Sequence, residues 1–203
     1  MTQQEMQMLT VLQERCAGCM ACELHQGRTK SVFGRGNPNA PLMFVGEGPG
    51  QQEDLTGLPF VGRAGMLLDK FLAGVGLEGD SYYIANIVKC RPPENRDPLP
   101  EEQDQCIAFL REQFRLIRPR IVVCLGRIAA QRLISPDFKV TQMHGEWFKA
   151  ADSGISGWLD GWDDGEKGVR LMGTFHPAAL LRNPNQKPDA FSDFIKIRDT
   201  LKD

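Results

Sequence analysis

Ile121-Val122-Val123-Cys124-Leu125 is a run of five apolar residues, three of them β-branched, closed by Gly126. A short bounded run of this kind reads as a buried strand. Three more share the character: Leu42 to Val45, Tyr82 to Val88 and Val169 to Phe175. Strands that are apolar throughout, rather than alternating, suit a parallel sheet covered on both faces. Between them lie helical patterns, one carrying Leu67, Leu68, Phe71, Leu72 and Val75, another Ile107, Leu110, Phe114 and Ile117, each with its apolar residues on one face. Strand and helix alternate, so the expected fold is α/β, with a central parallel four-stranded sheet flanked by helices in three layers. In open sheets of this kind the ligand crevice lies beyond the carboxyl ends of the strands. Gly46 to Gly50, Lys89 to Asn95, Gly126 and His176 to Arg182 would all stand there.

Working outward, 203 residues suit one domain spanning 1–203. A composition 41% hydrophobic and 25% charged excludes collagen, disordered and coiled-coil classes. No apolar run is long enough to span a bilayer, and the polar N-terminus lacks the layout of a signal peptide, so a cytoplasmic, membrane-free monomer is expected. The net charge of −2 requires any nucleic-acid contact to come from a local basic face. Residues 151–168, rich in Gly, Asp and Trp, read as an exposed acidic loop insertion. Its Asp160, Asp163, Asp164 and Glu166 would repel phosphate, although Trp158 and Trp162 could stack on bases.

Four segments carry chemistry. Gly46-Glu47-Gly48-Pro49-Gly50 follows a strand and precedes Gln51-Gln52-Glu53-Asp54. The turn admits close approach of a ligand to the backbone, and a purely structural turn explains the glycines equally well. Among six cysteines, Cys19 and Cys22 form a CxxC, Cys90 and Cys106 lie far downstream, and Cys16 offers a second choice of pair. Four thiolates suit zinc or an iron-sulfur cluster; a redox pair plus packing is the alternative, and packing alone accounts for Cys124. Thr174-Phe175-His176-Pro177-Ala178-Ala179-Leu180-Leu181-Arg182-Asn183 gathers a histidine, apolar residues and a cation in one loop. That combination can hold a flipped base, fill the vacated stack and grip a phosphate. Asn86, before Lys89-Cys90-Arg91-Pro92-Pro93, can present donor and acceptor to a base edge, or simply cap a turn.

Taken together and in this order, these segments resemble the family 4 uracil-DNA glycosylases. The resemblance rests on the CxxC with Leu24-His25 and Arg28-Thr29, on GEGPG with Glu53-Asp54, on Gly57-x-Pro59-Phe60-Val61-Gly62-Arg63-Ala64-Gly65, on Asn86 to Pro93 and on Thr174 to Asn183. It implies an enzyme of base-excision repair that flips uracil out of DNA and hydrolyses its N-glycosidic bond. It further implies that Cys19, Cys22, Cys90 and Cys106 bind a structural [4Fe-4S] cluster, leaving Cys16 aside, and that Lys89 and Arg91 face phosphate. In the implied base pocket, formed with Gly46, Glu47 and Gly48, Phe60 stacks on uracil, Asn86 reads its amide edge and Glu53 crowds C5 against thymine. His176 is the implied donor to the departing carbonyl. Gly48 replaces the water-directing aspartate of family 1, leaving Glu47 or Asn95 to orient water or stabilise the sugar cation, and Gly50 stands where family 1 has a tyrosine. Leu180, with Leu181 as alternative, is the implied wedge into the DNA stack, and Arg182 a phosphate contact.

A related branch keeps the cluster but traps uracil-DNA covalently through a histidine in a basic insert after Cys90. Arg91 to Pro98 contains neither histidine nor insert, so turnover is expected. An electron carrier would not need Phe60, Asn86 or a wedge. His144-Gly145-Glu146 falls where the resemblance is poor.

Overall fold

A computed structural model describes residues 1–158 and 168–202. Its strands are β1 (Arg35–Gly36), β2 (Leu42–Gly46), β3 (Tyr82–Asn86), β4 (Ile121–Leu125), β5 (Trp147–Lys149) and β6 (Arg170–Thr174). Its helices are α1 (Gln3–Ala17), α2 (Leu24–Gly27), α3 (Gln51–Thr56), α4 (Arg63–Gly74), α5 (Pro100–Ile117), α6 (Arg127–Leu133), α7 (Val140–Met143), α8 (Pro177–Arg182) and α9 (Lys187–Lys202).

The four expected strands are present and mutually parallel, in the order β3-β2-β4-β6. The expected count of four needs correction: the sheet has six strands, with β1 and β5 added antiparallel at its two edges. Both are only two or three residues long and partly exposed, so neither carries an apolar run that would announce it.

Alternation along the central strands divides the core. In β2, Leu42 and Phe44 pack with Leu68 and Leu72 of α4 and Phe194 and Ile197 of α9. Met43 and Val45 turn the other way, toward Leu110 and Phe114 of α5 and Ala129 and Leu133 of α6. Every residue of β2, β3 and β4 is therefore buried, and the sheet is the middle of three layers. Phe44 anchors one side, with its ring centroid 5.8 Å from those of both Tyr82 and Phe194.

Helix ends are set by local chemistry. The Thr2 hydroxyl accepts from the Glu5 N–H at 3.2 Å while the Glu5 carboxylate accepts from the Thr2 N–H at 2.7 Å, starting α1. Its stripe of Leu9, Leu12 and Cys16 then meets Phe33 and Leu116. Before α5, the Glu102 carboxylate accepts from the Leu99 N–H at 2.7 Å and pairs with Arg96 at 2.6 Å.

Where the 151–168 segment is described, most of its residues are exposed, but two side chains tie it to the core. Ile155 is fully buried, and Trp158 meets Phe114 of α5 edge-on at 5.4 Å, so this part closes the core. Asp160, Trp162, Asp163, Asp164 and Glu166 lie outside the described residues. Among the described residues no helix is long and apolar enough to cross a membrane.

Candidate active site

The carboxyl ends of the parallel strands open into a cavity of about 570 Å³ lined by Glu47, Glu53, Phe60, Asn86, Asn95 and His176 among others. β2 delivers Gly46 and the turn behind it, β3 delivers Asn86 directly opposite Gly46, and Gly126 and His176 follow β4 and β6. The expected convergence on one sheet edge is thus what the fold produces.

Asn86 is 1% exposed, and its Oδ1 has no hydrogen-bond partner. A buried acceptor left unpaired costs about 1–3 kcal/mol, so it marks a place where a ligand donor belongs. Gly46 makes the room: a Cβ there would lie 2.5 Å from Asn86 Oδ1 and 2.6 Å from Phe60 Cζ. Phe60 itself is buried with φ +54, a left-handed conformation that an aromatic residue adopts only under constraint. The constraint is visible. Arg35 donates to the carbonyls of Pro59 (2.8 Å) and Phe60 (3.3 Å), and Gly65 presses against the Phe60 carbonyl where no Cβ could fit. Glu53 Oε1 accepts from the N–H groups of Val61 (2.9 Å) and Gly62 (2.8 Å), fixing the other end of the same turn.

His176 caps α8: its Nδ1 accepts the Ala178 N–H at 3.1 Å. An accepting Nδ1 places the single proton of the neutral ring on Nε2. Burial, reinforced by Arg182, holds the pKa down to about 4, so the ring stays neutral. It lies 5.7 Å from the Phe60 ring, tilted by 35°. Burial, and then the neighbouring Asp97, push Glu47 up to about 7 against the opposing pull of Arg127 and Arg182. Asn95 is exposed, with φ +56, and its Oδ1 accepts from Arg91 Nε at 2.9 Å.

A model of the Uracil DNA glycosylase superfamily matches residues 33–201. The type-4 uracil-DNA glycosylase of Archaeoglobus fulgidus is 43% identical over 88% of this chain and 86% of its own. That of Thermotoga maritima is 42% identical over 87% and 85%. The chain belongs to the type-4 uracil-DNA glycosylases. A type-5 uracil-DNA glycosylase of Pyrobaculum aerophilum is similar at 33% identity over 73% of this chain.

Within this type-4 framework two expected DNA contacts are displaced. Lys89 does not face phosphate: it is 1% exposed, and its ammonium donates to Gln113 Oε1 (2.7 Å), the Asn86 carbonyl (2.9 Å) and the Phe33 carbonyl (3.3 Å). A buried ammonium needs such partners, and they come from segments distant in the chain. Leu180, 1% exposed, packs with Phe175 and Ala190 and cannot enter DNA, because it lies on the inner face of α8. Leu181 is half-buried, and Arg182 is exposed and lines the cavity mouth. Arg96 and Arg127, which the sequence reading overlooked, line the same mouth, Arg127 paired with Asp97. Arg35 was also missed. Only Gly126 directly before Arg127, at a strand end, could have pointed to that residue.

The cluster that family membership implies finds a suitable donor set. Cys19, Cys22, Cys90 and Cys106 line one pocket, together with Cys16 and Arg28. All four are free thiols, and two have N–H donors aimed at sulfur: Arg28 at Cys90 Sγ and the Lys89 amide at Cys106 Sγ, both at 3.2 Å. Such donors are what cluster-bound thiolates accept. Cys124 is wholly buried in β4, as packing requires.

Proposed function

We propose that the protein flips uracil out of DNA into the cavity at the sheet edge and hydrolyses the bond between its N1 and the sugar C1′, leaving an abasic site. The observation that carries this reading is the unpartnered Asn86 Oδ1, buried beside the Phe60 ring. That acceptor takes the N3–H of uracil while the amide N–H meets O4, with Phe60 on the base's π-face. Cytosine offers an acceptor at N3 and a donor at C4, mispairing both, and a site built for one polar pattern rejects the other strongly. Glu53, held beside the base by the Val61 and Gly62 amides, fills the space a thymine methyl would need.

As the C1′–N1 bond breaks, its electron pair leaves with uracil and negative charge grows on the carbonyl oxygen. The Nε2–H of neutral His176 donates a hydrogen bond to that oxygen. Water adds to C1′ and gives up its proton to Glu47, whose raised pKa suits a general base near neutrality. Asn95, engaged by Arg91, borders the same space on the solvent side. Leu181 fills the vacated stack, and Arg182, Arg127 and Arg96 meet phosphates around the mouth. Cys19, Cys22, Cys90 and Cys106 hold a [4Fe-4S] cluster whose contribution is structural, binding the thiolates of three segments together without electron transfer.

A labelled duplex with one uracil, beside cytosine and thymine controls, tests the reading. Cleavable abasic sites should form over many turnovers at uracil alone. His176→Ala should slow release about 10²–10³-fold, and Asn86→Ala should remove the preference over cytosine. A denaturant-resistant adduct without free uracil would instead indicate covalent trapping.

A further inference from the structure

We propose that Asp193, clamped by His144 and gripping Thr174, is the positioning residue that fixes His176 at the cavity. The inference rests on the reading of His176 as the donor to the departing base.

Asp193 lies on α9, outside the cavity, and is 1% exposed. A carboxylate this deep needs full hydrogen-bonding, and here the partners converge on the end of β6. The Thr174 hydroxyl donates to its Oδ2 at 2.6 Å, and His144 Nδ1 sits 3.0 Å from Oδ2 and 3.2 Å from Oδ1. Gly145 approaches so closely that a Cβ there would collide with Asp193 Oδ1, and its φ of +70 suits glycine alone. The corner formed by His144 and Gly145 is itself pinned to β6, since the Gly145 N–H donates to the Gly173 carbonyl at 3.0 Å. From the other side Lys196 of α9 donates to the Gly145 carbonyl at 3.2 Å.

The residues so held lead straight to His176. Thr174 is gripped by Asp193 through its side chain and by the Gly126 N–H through its carbonyl, at 2.8 Å. Phe175 is buried, with the His144 ring 4.6 Å from its own. Gly126 also touches the catalytic histidine, since a Cβ there would lie 2.7 Å from His176 Cβ. α8 has only six residues and begins at Pro177, with His176 as the cap before it, so the helix cannot by itself fix the histidine's position. Three elements, the 144–145 corner, α9 and the β4 end, thus clamp residues 173–175. A donor that must meet one carbonyl oxygen within a few tenths of an ångström needs such an anchor.

The test uses whole protein and single-turnover excision from a one-uracil duplex, with Thr174→Val, Thr174→Ser, His176→Ala and the double variant Thr174→Val/His176→Ala. Thr174→Val should slow excision about tenfold or more, while affinity for a duplex carrying uncleavable 2′-fluorodeoxyuridine stays unchanged. Thr174→Ser, which keeps the hydroxyl, should restore the rate. The double variant should be no slower than His176→Ala, because a residue acting only through the histidine has nothing left to position. Asp193→Asn should reproduce the Thr174→Val phenotype; if it does not fold, the threonine series decides alone. Thr174→Val at the wild-type rate, or a double variant slowed by the full product of both defects, would overturn the positioning role. His176→Ala at the wild-type rate would overturn the underlying assignment of the donor instead, so the two failures are distinct.

Discussion

Gly46 has no side chain because Asn86 and Phe60 occupy the space one would take. Gly46→Ala should therefore push the reading amide and the stacking ring apart. A displacement near 1 Å costs about 10²-fold in rate, and overpacking the buried strand end should lower stability by about 1–3 kcal/mol. Single-turnover excision and thermal melting measure the two effects. The paired roles of Glu47 and His176 give a pH signature. Glu47, pushed up to about 7, must be ionised to accept a proton, so kcat/KM should rise with pH through about 7. His176, held down to about 4, stays neutral throughout and adds no inflection in the ordinary histidine range. Glu47→Gln should flatten the rise, and a profile still rising through 7 in that variant would assign the ionisation elsewhere. At this scale the sequence marked His176 and Asn86, whose residue types are suited to the chemistry, and the family resemblance marked Phe60. It could not mark Arg35, since holding two carbonyls is a matter of where loops meet.

α8 shows how an element decides what its residues do. Two adjacent leucines read alike, yet the helix turns Leu180 into the core with Phe175 and Ala190 and leaves Leu181 only half-buried. Leu180→Ala should cost about 2–5 kcal/mol of stability through an inner cavity, seen as a lower melting temperature. Leu181→Ala should leave melting unchanged and weaken excision from duplex DNA more than from single strands, which have no opposing stack to fill. Lys89 makes the same point for a loop. Read as a surface cation beside Cys90, it is instead the buried link between the Asn86 carbonyl, Phe33 and Gln113. Lys89→Ala leaves acceptors dry at about 1–3 kcal/mol each, so its damage should appear in thermal melting and in uracil discrimination. The salt dependence of DNA binding, which counts phosphate contacts, should not change.

Across the whole molecule, the implied cluster ligands join segments distant in sequence: the region between α1 and α2, the turn after β3, and α5. Cys22→Ser should therefore lower iron content and melting temperature together and speed hydrogen exchange between residues 16 and 33. Chemical reduction of intact protein should leave the excision rate unchanged, because no electron moves in the reaction. Residues 1–203 should melt as one unit, the three layers sharing one sheet. The sequence by itself determined the four buried strands, their alternation with helices, the crevice at their carboxyl ends and the family, because each is written locally, in apolar runs and in motifs whose residue types suit a flipped base. Only the tertiary structure decided which way each neighbour points, that β1 and β5 complete the sheet, that Lys89 is a strut, and that Asp193, His144 and Thr174 meet behind His176. Those facts arise from contacts between segments far apart in the chain, and burial, which sets the worth of each polar contact, exists only once the layers have closed.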